Sequence, residues 1–102
     1  MYTKEMADKV IEHFTKNEYW KEEYENAPSE ECRELIVFQH CRGQLGRDDY
    51  FKDLEEYKTE RERLESKLSL ADWKHLLKYS GNNPWRGKCR QKIKELEAAN
   101  QA

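Results

Sequence analysis

The sequence has few aliphatic residues and no long hydrophobic segment. Leu, Ile, Val and Phe number 17 of 102 residues, and no apolar run approaches the ~20 residues of a membrane-spanning helix. Such a low aliphatic content indicates disorder when net charge is high, but here the net charge is −2 and aromatic residues make up 12%. We therefore expect a single folded domain with a modest core, since a chain of this length buries only about two-thirds of its unfolded surface.

Glycine-dependent and thiol-dependent chemistry also lacks its usual signatures. No glycine-rich phosphate loop, nucleophile elbow or carboxylate pair in a catalytic context is present, so we predict a protein that is not an enzyme and holds no cofactor. The three cysteines are odd in number and widely spaced, which predicts reduced thiols in an intracellular protein. Residues 1–14 are charged and helical in pattern, so we expect no signal peptide, no membrane contact and a cytoplasmic location.

The clearest positive signal is an amphipathic helix over residues 48–68. Its apolar stripe recurs at alternating steps of four and three, through Tyr50, Leu54, Tyr57, Arg61, Leu64 and Leu68. Ser69 lies three residues before Asp72, a spacing that predicts a capping box at the start of the next helix. Leu68 and Trp73 flank this cap at the spacing of a hydrophobic staple. We predict that the 48–68 helix is the centre of the fold and that it ends before Ser69.

The remaining segments are also helical in pattern. A first helix, capped by Thr3, has an apolar stripe that is interrupted near Asn17, where we expect a break or kink. Ser29 is placed to cap another helix, which contains the most apolar run of the chain at residues 35–38. That run is not assigned to a strand, because no second strand-like run exists to pair with it.

These signals predict an all-α bundle of four to five helices around the long central helix. Residues 1–47 form an acidic helical half, and residues 69–97 form a basic helical hairpin with a turn at residues 81–83. Residues 98–102 are predicted to be a frayed tail. The thin apolar content and the tyrosines of the central stripe also predict a weak homodimer.

Positive charge is concentrated towards the end of the chain. Residues 1–72 hold 12 Lys or Arg against 19 Asp or Glu, whereas residues 73–102 hold seven against two. Lys and Arg neutralise phosphates, and interleaved aromatic rings stack on unpaired bases. We therefore predict that the 73–94 segment contacts nucleic acid or another polyanion through Lys74, Lys78, Arg86, Lys88, Arg90 and Lys92. A solvated surface that balances the acidic half is the alternative interpretation of these charges.

One part of the hairpin resembles a known DNA-binding module. Residues 68–81, LSLADWKHLLKYSG, are similar to the first helix of the SAP motif, a short helix–extended–helix module. The second half of the motif is resembled by Gly87, Lys88, Ile93 and Leu96. The sequence departs from the SAP pattern at Asn82, Arg90 and Lys92. The resemblance implies that DNA phosphates lie near Lys74, Lys78, Arg86 and Lys88.

An acidic cluster in the first half of the chain offers a different function. A face rich in carboxylates presents itself to a basic protein partner, and here it would consist of Glu18, Glu22, Glu23, Glu25, Glu30 and Glu31. The alternative hypothesis is therefore a protein–protein adaptor or inhibitor that docks through this face. A solvated helix surface is again the simpler interpretation.

Side chains that bind metals or act as nucleophiles are present but are not suitably spaced. Cys32, His40, Cys41 and His75 show no C-x-x-C or H-x-x-x-H pattern, so we predict no metal site. A Cys–His nucleophilic pair brought together by the fold stays open, because its members need not be close in sequence. Arg61 is the single charge on the central stripe, and we expect its stem to pack while its guanidinium reaches water.

Overall fold

Six α-helices contain most of the residues that the structure describes. The computed structural model describes residues 3–44, 54–81 and 83–101, with the side chains of residues 42–44, 54–57, 100 and 101 set aside. The helices are α1 (Lys4–Phe14), α2 (Glu18–Glu25), α3 (Glu30–Gln44), α4 (Leu54–Glu65), α5 (Leu70–Tyr79) and α6 (Asn83–Gln101). No strand occurs within these ranges, which confirms the predicted all-α bundle.

The first predicted helix is divided in two at Asn17. Thr3 caps α1 by accepting a hydrogen bond from the Met6 amide at 3.3 Å, as predicted. The side-chain oxygen of Asn17 accepts from the Trp20 amide at 3.1 Å and so caps α2 in the same way. Because Asn17 itself has an extended backbone, α1 and α2 are separate helices, and this break brings the described helices to six.

The apolar run at residues 35–38 is helical, and all four of its side chains are buried. Four consecutive buried positions cover every side of a helix, so this turn of α3 is enclosed on all sides, whereas the first turn of α3 exposes Glu30 and Glu31. It packs against α1, α2 and α4. The described core therefore lies around α3, and it also takes in Val10, Phe14 and Leu64.

The described part of the predicted 48–68 helix is α4. Residues 48–53 and the Leu54 side chain lie outside the described residues, so the predicted start and the burial of Leu54 stay predictions. Leu64 is buried as expected, with 1% of its surface exposed. The helix ends at Glu65, and the predicted break before Ser69 is confirmed.

The junction between α4 and α5 contains the predicted capping box. The Asp72 amide donates to the Ser69 hydroxyl at 3.3 Å, and the Ser69 amide donates to the Asp72 carboxylate at 2.8 Å. Leu68 and Trp73 are both buried in the same apolar cluster, in agreement with the predicted staple. The rotation of α5 relative to the core is therefore set at its first turn.

Helices α5 and α6 form a hairpin, and α6 is the longest of the described helices. Trp73 and Leu76 of α5 are buried, as is Cys89 of α6. The last helix continues to Gln101, so the expected fraying of residues 98–102 is a solution property that stays a prediction. Within the described ranges, no helix combines the length and the apolar character that crossing a membrane requires.

Candidate functional site

The six cations predicted to bind a polyanion do not all share one surface. Successive residues of a helix are about 100° apart, so Arg86 and Arg90 lie on one side of α6 while Lys88 and Lys92 lie on the opposite side. Contacts confirm this division, because Lys88 pairs with Glu65 of α4. The side of α6 that carries Arg86 and Arg90 faces α5 instead, since Arg86 bonds to carbonyl oxygens of the Leu77–Ser80 segment.

The α5 side of the hairpin carries four exposed cations, which we call the hairpin edge: Lys74, Lys78, Arg90 and Lys94. Lys74 lies 3.5 Å from Glu97, which places the start of α5 beside the last turns of α6. Lys78 lies one turn further along α5, and Arg90 and Lys94 precede Glu97 on the same side of α6. The described residues provide no ion-pair partner for Lys78, Arg90 or Lys94.

Arg86 has a structural position that sequence reasoning missed. It was expected outside with Lys74 and Lys78, but it is half-buried and donates to the carbonyl oxygens of Leu77 at 3.1 Å and Ser80 at 2.8 Å. Both carbonyl groups lie at the end of α5, and that of Leu77 also accepts from the Ser80 amide at 3.3 Å. Arg86 therefore fastens the end of α5 to α6 and is not available as a freely exposed cation.

Lys88 and Lys92 are also engaged within the molecule. Lys88 donates to the Glu65 carboxylate at 2.7 Å, and Lys92 lies 3.9 Å from Glu95. Arg61 of α4 packs against this side of α6, and its guanidinium lies 4.7 Å from the centre of the Trp85 ring. The guanidinium of Arg61 thus stacks on an aromatic face while its side chain remains partly exposed, which qualifies the expectation that it simply reaches water.

The predicted acidic face loses one member, because Glu23 is buried. Five of its six residues are exposed, namely Glu18, Glu22, Glu25, Glu30 and Glu31. Some of these carboxylates already have cationic neighbours in the molecule, since Glu30 bonds to Arg33 and Glu25 lies 4.0 Å from Lys21. Glu18, Glu22 and Glu31 have no such partner among the described residues.

Glu23 occupies a buried position between α2, α3 and α5. Burial raises the pKa of its carboxyl from about 4.5 to about 7. Nε2 of His40 lies 4.0 Å from a carboxylate oxygen, and the described residues provide no closer Lys, Arg or His partner. His75 donates from Nε2 to the backbone carbonyl of Glu23 at 2.7 Å, so it holds α2 against α5 without neutralising the carboxylate.

A signal for this burial exists in the sequence. Glu23 is three residues after Trp20, so the two lie on the same stripe of α2, and the buried Ala27 follows just beyond the end of that helix. Because several glutamates surround Glu23 in the sequence, it was assigned to the exposed acidic face together with them. The position of one charge relative to the apolar stripe carried more information than the number of charges in the segment.

The three cysteines are buried core residues. Cys32, Cys41 and Cys89 are free and buried, and burial raises their pKa values to about 12, 11 and 11, respectively. A reactive cysteine needs a lowered pKa and access to solvent, and these thiols have neither. Within the described ranges, no cluster of three metal-ligating side chains occurs.

Comparisons of the chain with protein-family models, curated proteins and solved structures found no significant match.

Proposed function

We propose that this protein is a non-enzymatic binding protein that contacts nucleic acid, or another polyanion, through the hairpin edge. The observation that carries this proposal is the set of three exposed cations, Lys78, Arg90 and Lys94, which lack a carboxylate partner among the described residues. Lys74 adds a fourth cation that is shared with Glu97. Cations on one edge of a rigid hairpin meet a phosphate backbone without a prior loss of internal ion pairs.

The proposed interface is narrower than the basic segment of the sequence. Arg86 is occupied with α5, and Lys88 is paired with Glu65, so both contribute through their charge more than through direct contact. Of the residues implied by the SAP resemblance, Lys74 and Lys78 belong to the proposed interface. The SAP-like mode of binding remains part of the proposal.

The proposal has a quantitative consequence for salt dependence. Three to four phosphate contacts give a slope of about −2.7 to −3.6 for log affinity against log salt on duplex DNA, at about 0.9 per contact. The proposed contacts are to phosphates, which carry no sequence information, so we expect weak binding with little sequence preference.

The test is fluorescence anisotropy with mixed-sequence duplex DNA, single-stranded RNA and heparin at several salt concentrations. We expect the double variant Lys78→Glu/Arg90→Glu to lose binding to the polyanion that the wild-type protein binds. The matched control is Lys4→Glu/Lys16→Glu, which makes the same change in net charge at two exposed positions at the other end of the chain. The control is expected to retain most of the affinity, with the measured salt slope unchanged.

The result also decides the kind of polyanion. Preference for DNA or RNA over heparin supports a nucleic-acid partner, whereas tighter heparin binding supports another polyanion. Equal losses in the two double variants would show that only net charge matters, and the hairpin edge would be rejected. No binding to any of the three at about 50 mM salt would overturn the proposal as a whole.

The alternative function is an adaptor or inhibitor that docks on a basic protein. The observation that favours it is a set of exposed carboxylates that have no cationic partner among the described residues, and Glu18 and Glu31 belong to this set. A pull-down that loses its captured basic protein in Glu18→Lys/Glu31→Lys, while polyanion binding is absent, would support it. The predicted weak homodimer and cytoplasmic location likewise remain proposals, for sedimentation and microscopy to test.

A further inference from the structure

A half-open cleft lies where the end of α5 meets α2, α3 and the start of α6. Its volume is about 160 Å³. An apolar cavity of about 150 Å³ is large enough to hold benzene, so the cleft has room for a ligand of about six non-hydrogen atoms. Its lining includes Glu23, Gln39, His40, Leu76, Tyr79 and Trp85.

The carboxylate of Glu23 is the feature of this cleft that needs an explanation. Its side chain is only 9% exposed, and Nε2 of His40, at 4.0 Å, is beyond hydrogen-bonding distance. Among the described residues, no hydrogen bond to this carboxylate occurs. Buried polar groups nearly always have a partner, and a buried carboxylate without one is costly.

The neighbouring imidazoles do not pair with this carboxylate. The imidazole of His40 packs 5.2 Å from Phe14 and 4.9 Å from Trp20 between ring centres, and burial lowers its pKa. His75 has its Nε2 engaged with the Glu23 carbonyl. Glu23 thus presents an uncompensated carboxylate to a cleft that is otherwise lined largely by aromatic, aliphatic and amide groups.

We propose that this cleft binds a small organic cation, an alkylammonium or guanidinium of about six non-hydrogen atoms, whose charged end meets the Glu23 carboxylate. The cation supplies the hydrogen-bond donors and the charge that the protein does not provide. Leu76, Tyr79 and Trp85 give its carbon chain an apolar wall. This inference does not depend on polyanion binding, since no residue of the hairpin edge lines the cleft.

Binding is expected to be linked to proton release. The pKa of Glu23 is about 7 in the empty cleft, and a bound cation favours the ionised form. Affinity for the cation therefore rises by about tenfold between pH 6 and pH 8, as the ionised fraction of Glu23 increases. Five other titratable side chains face Glu23, namely Tyr19, Cys32, His40, His75 and Tyr79. Burial raises the pKa values of Tyr19, Cys32 and Tyr79.

The experiment is an NMR titration with butylammonium chloride, followed through backbone amides and through the ¹³C-labelled glutamate carboxyls. The neutral ligand 1-butanol, at matched ionic strength, has the same number of non-hydrogen atoms. We expect saturable butylammonium shifts at the cleft, weaker 1-butanol shifts, a tenfold gain in affinity from pH 6 to pH 8, and a lower pKa of Glu23 in the bound protein. Equal responses to both ligands, or no saturable shift with butylammonium, would overturn the proposal.

Two variants of α2 sharpen this test. Glu23→Gln keeps the side-chain volume and removes the charge, so both the preference for the cation and the pH dependence should disappear. Glu18→Gln makes the same change of charge at an exposed position of the same helix and should leave both intact. If Glu23→Gln retained the cation preference, Glu23 would not be the binding group. If that variant did not fold, the carboxyl titration of the wild-type protein would decide.

Discussion

The hydroxyl of Ser29 donates a hydrogen bond to the Asp72 carboxylate at 2.8 Å, and this contact joins the first turns of α3 and α5. Ser29 also accepts from the Cys32 amide at 3.1 Å, so it caps α3 while it binds Asp72. Asp72 at the same time accepts from the Ser69 amide. One carboxylate with 1% exposure thus connects the starts of two helices that are 43 residues apart in the chain.

Asp72→Ala is expected to lower the free energy of unfolding by about 2–4 kcal/mol. It removes half of a capping box and the acceptor of the Ser29 hydroxyl, and a hydrogen bond to a charged group contributes about 1.5–3 kcal/mol. Ser69→Ala, which removes only the cap, should cost about 0.5–2 kcal/mol. Urea denaturation measures both. Equal losses in the two variants would show that the link to Ser29 adds nothing.

Leu64→Ala is expected to lower the free energy of unfolding by about 2–5 kcal/mol, through lost transfer energy and the cavity that remains. Leu64 is buried in the core on α4. The control, Lys67→Ala, truncates an exposed side chain in the following turn and should change stability by less than about 0.5 kcal/mol. A loss below about 1 kcal/mol for Leu64→Ala would mean that α4 is not fixed against the core.

Arg86 and Arg90 are expected to have opposite effects on stability and binding. Arg86→Ala removes two hydrogen bonds to the end of α5 and should cost about 1–3 kcal/mol in a chemical denaturation experiment. Arg90→Ala removes an exposed side chain and should cost less than about 0.5 kcal/mol while it weakens polyanion binding. The assignment of roles would be wrong if Arg90→Ala were the less stable variant.

The charge of Glu23 is expected to make the protein less stable as pH rises from about 4.5 to about 7. The pKa is higher in the folded state than in the unfolded state, so the folded protein binds the extra proton in this window and stability falls as that proton is lost. A shift of this size corresponds to about 3 kcal/mol. The lowered pKa of His40 acts in the opposite direction, because stability rises as the unfolded-state imidazole loses its proton.

Urea denaturation between pH 4.5 and pH 8 tests this prediction. Glu23→Gln should be more stable than the wild type at pH 8, and the fall in stability across the window should be absent. Glu18→Gln, on the exposed side of α2, should follow the wild-type profile. Parallel profiles for wild type and Glu23→Gln would show that the Glu23 carboxyl titrates as it does in water.

The sequence alone determined where several of the helices begin. Thr3, Ser69 and Asp72 were recognised as capping residues because each bonds to an amide three residues away, and such contacts follow from spacing. The break at Asn17 was recognised from the interrupted apolar stripe. The helical state of residues 35–38 followed from the absence of any pairing strand. These local rules were sufficient for the all-α class.

The tertiary structure decided which charges are available for binding. Arg86 and Arg90 are equivalent in the sequence pattern, but only Arg86 meets the carbonyl groups at the end of α5. Glu22 and Glu23 are adjacent, but the packing of α2 against α3 and α5 buries only the second. Electrostatic environments depend on neighbours that are distant in the chain, and the 4.0 Å approach of His40 to Glu23 or the 2.8 Å bond of Ser29 to Asp72 has no local signature.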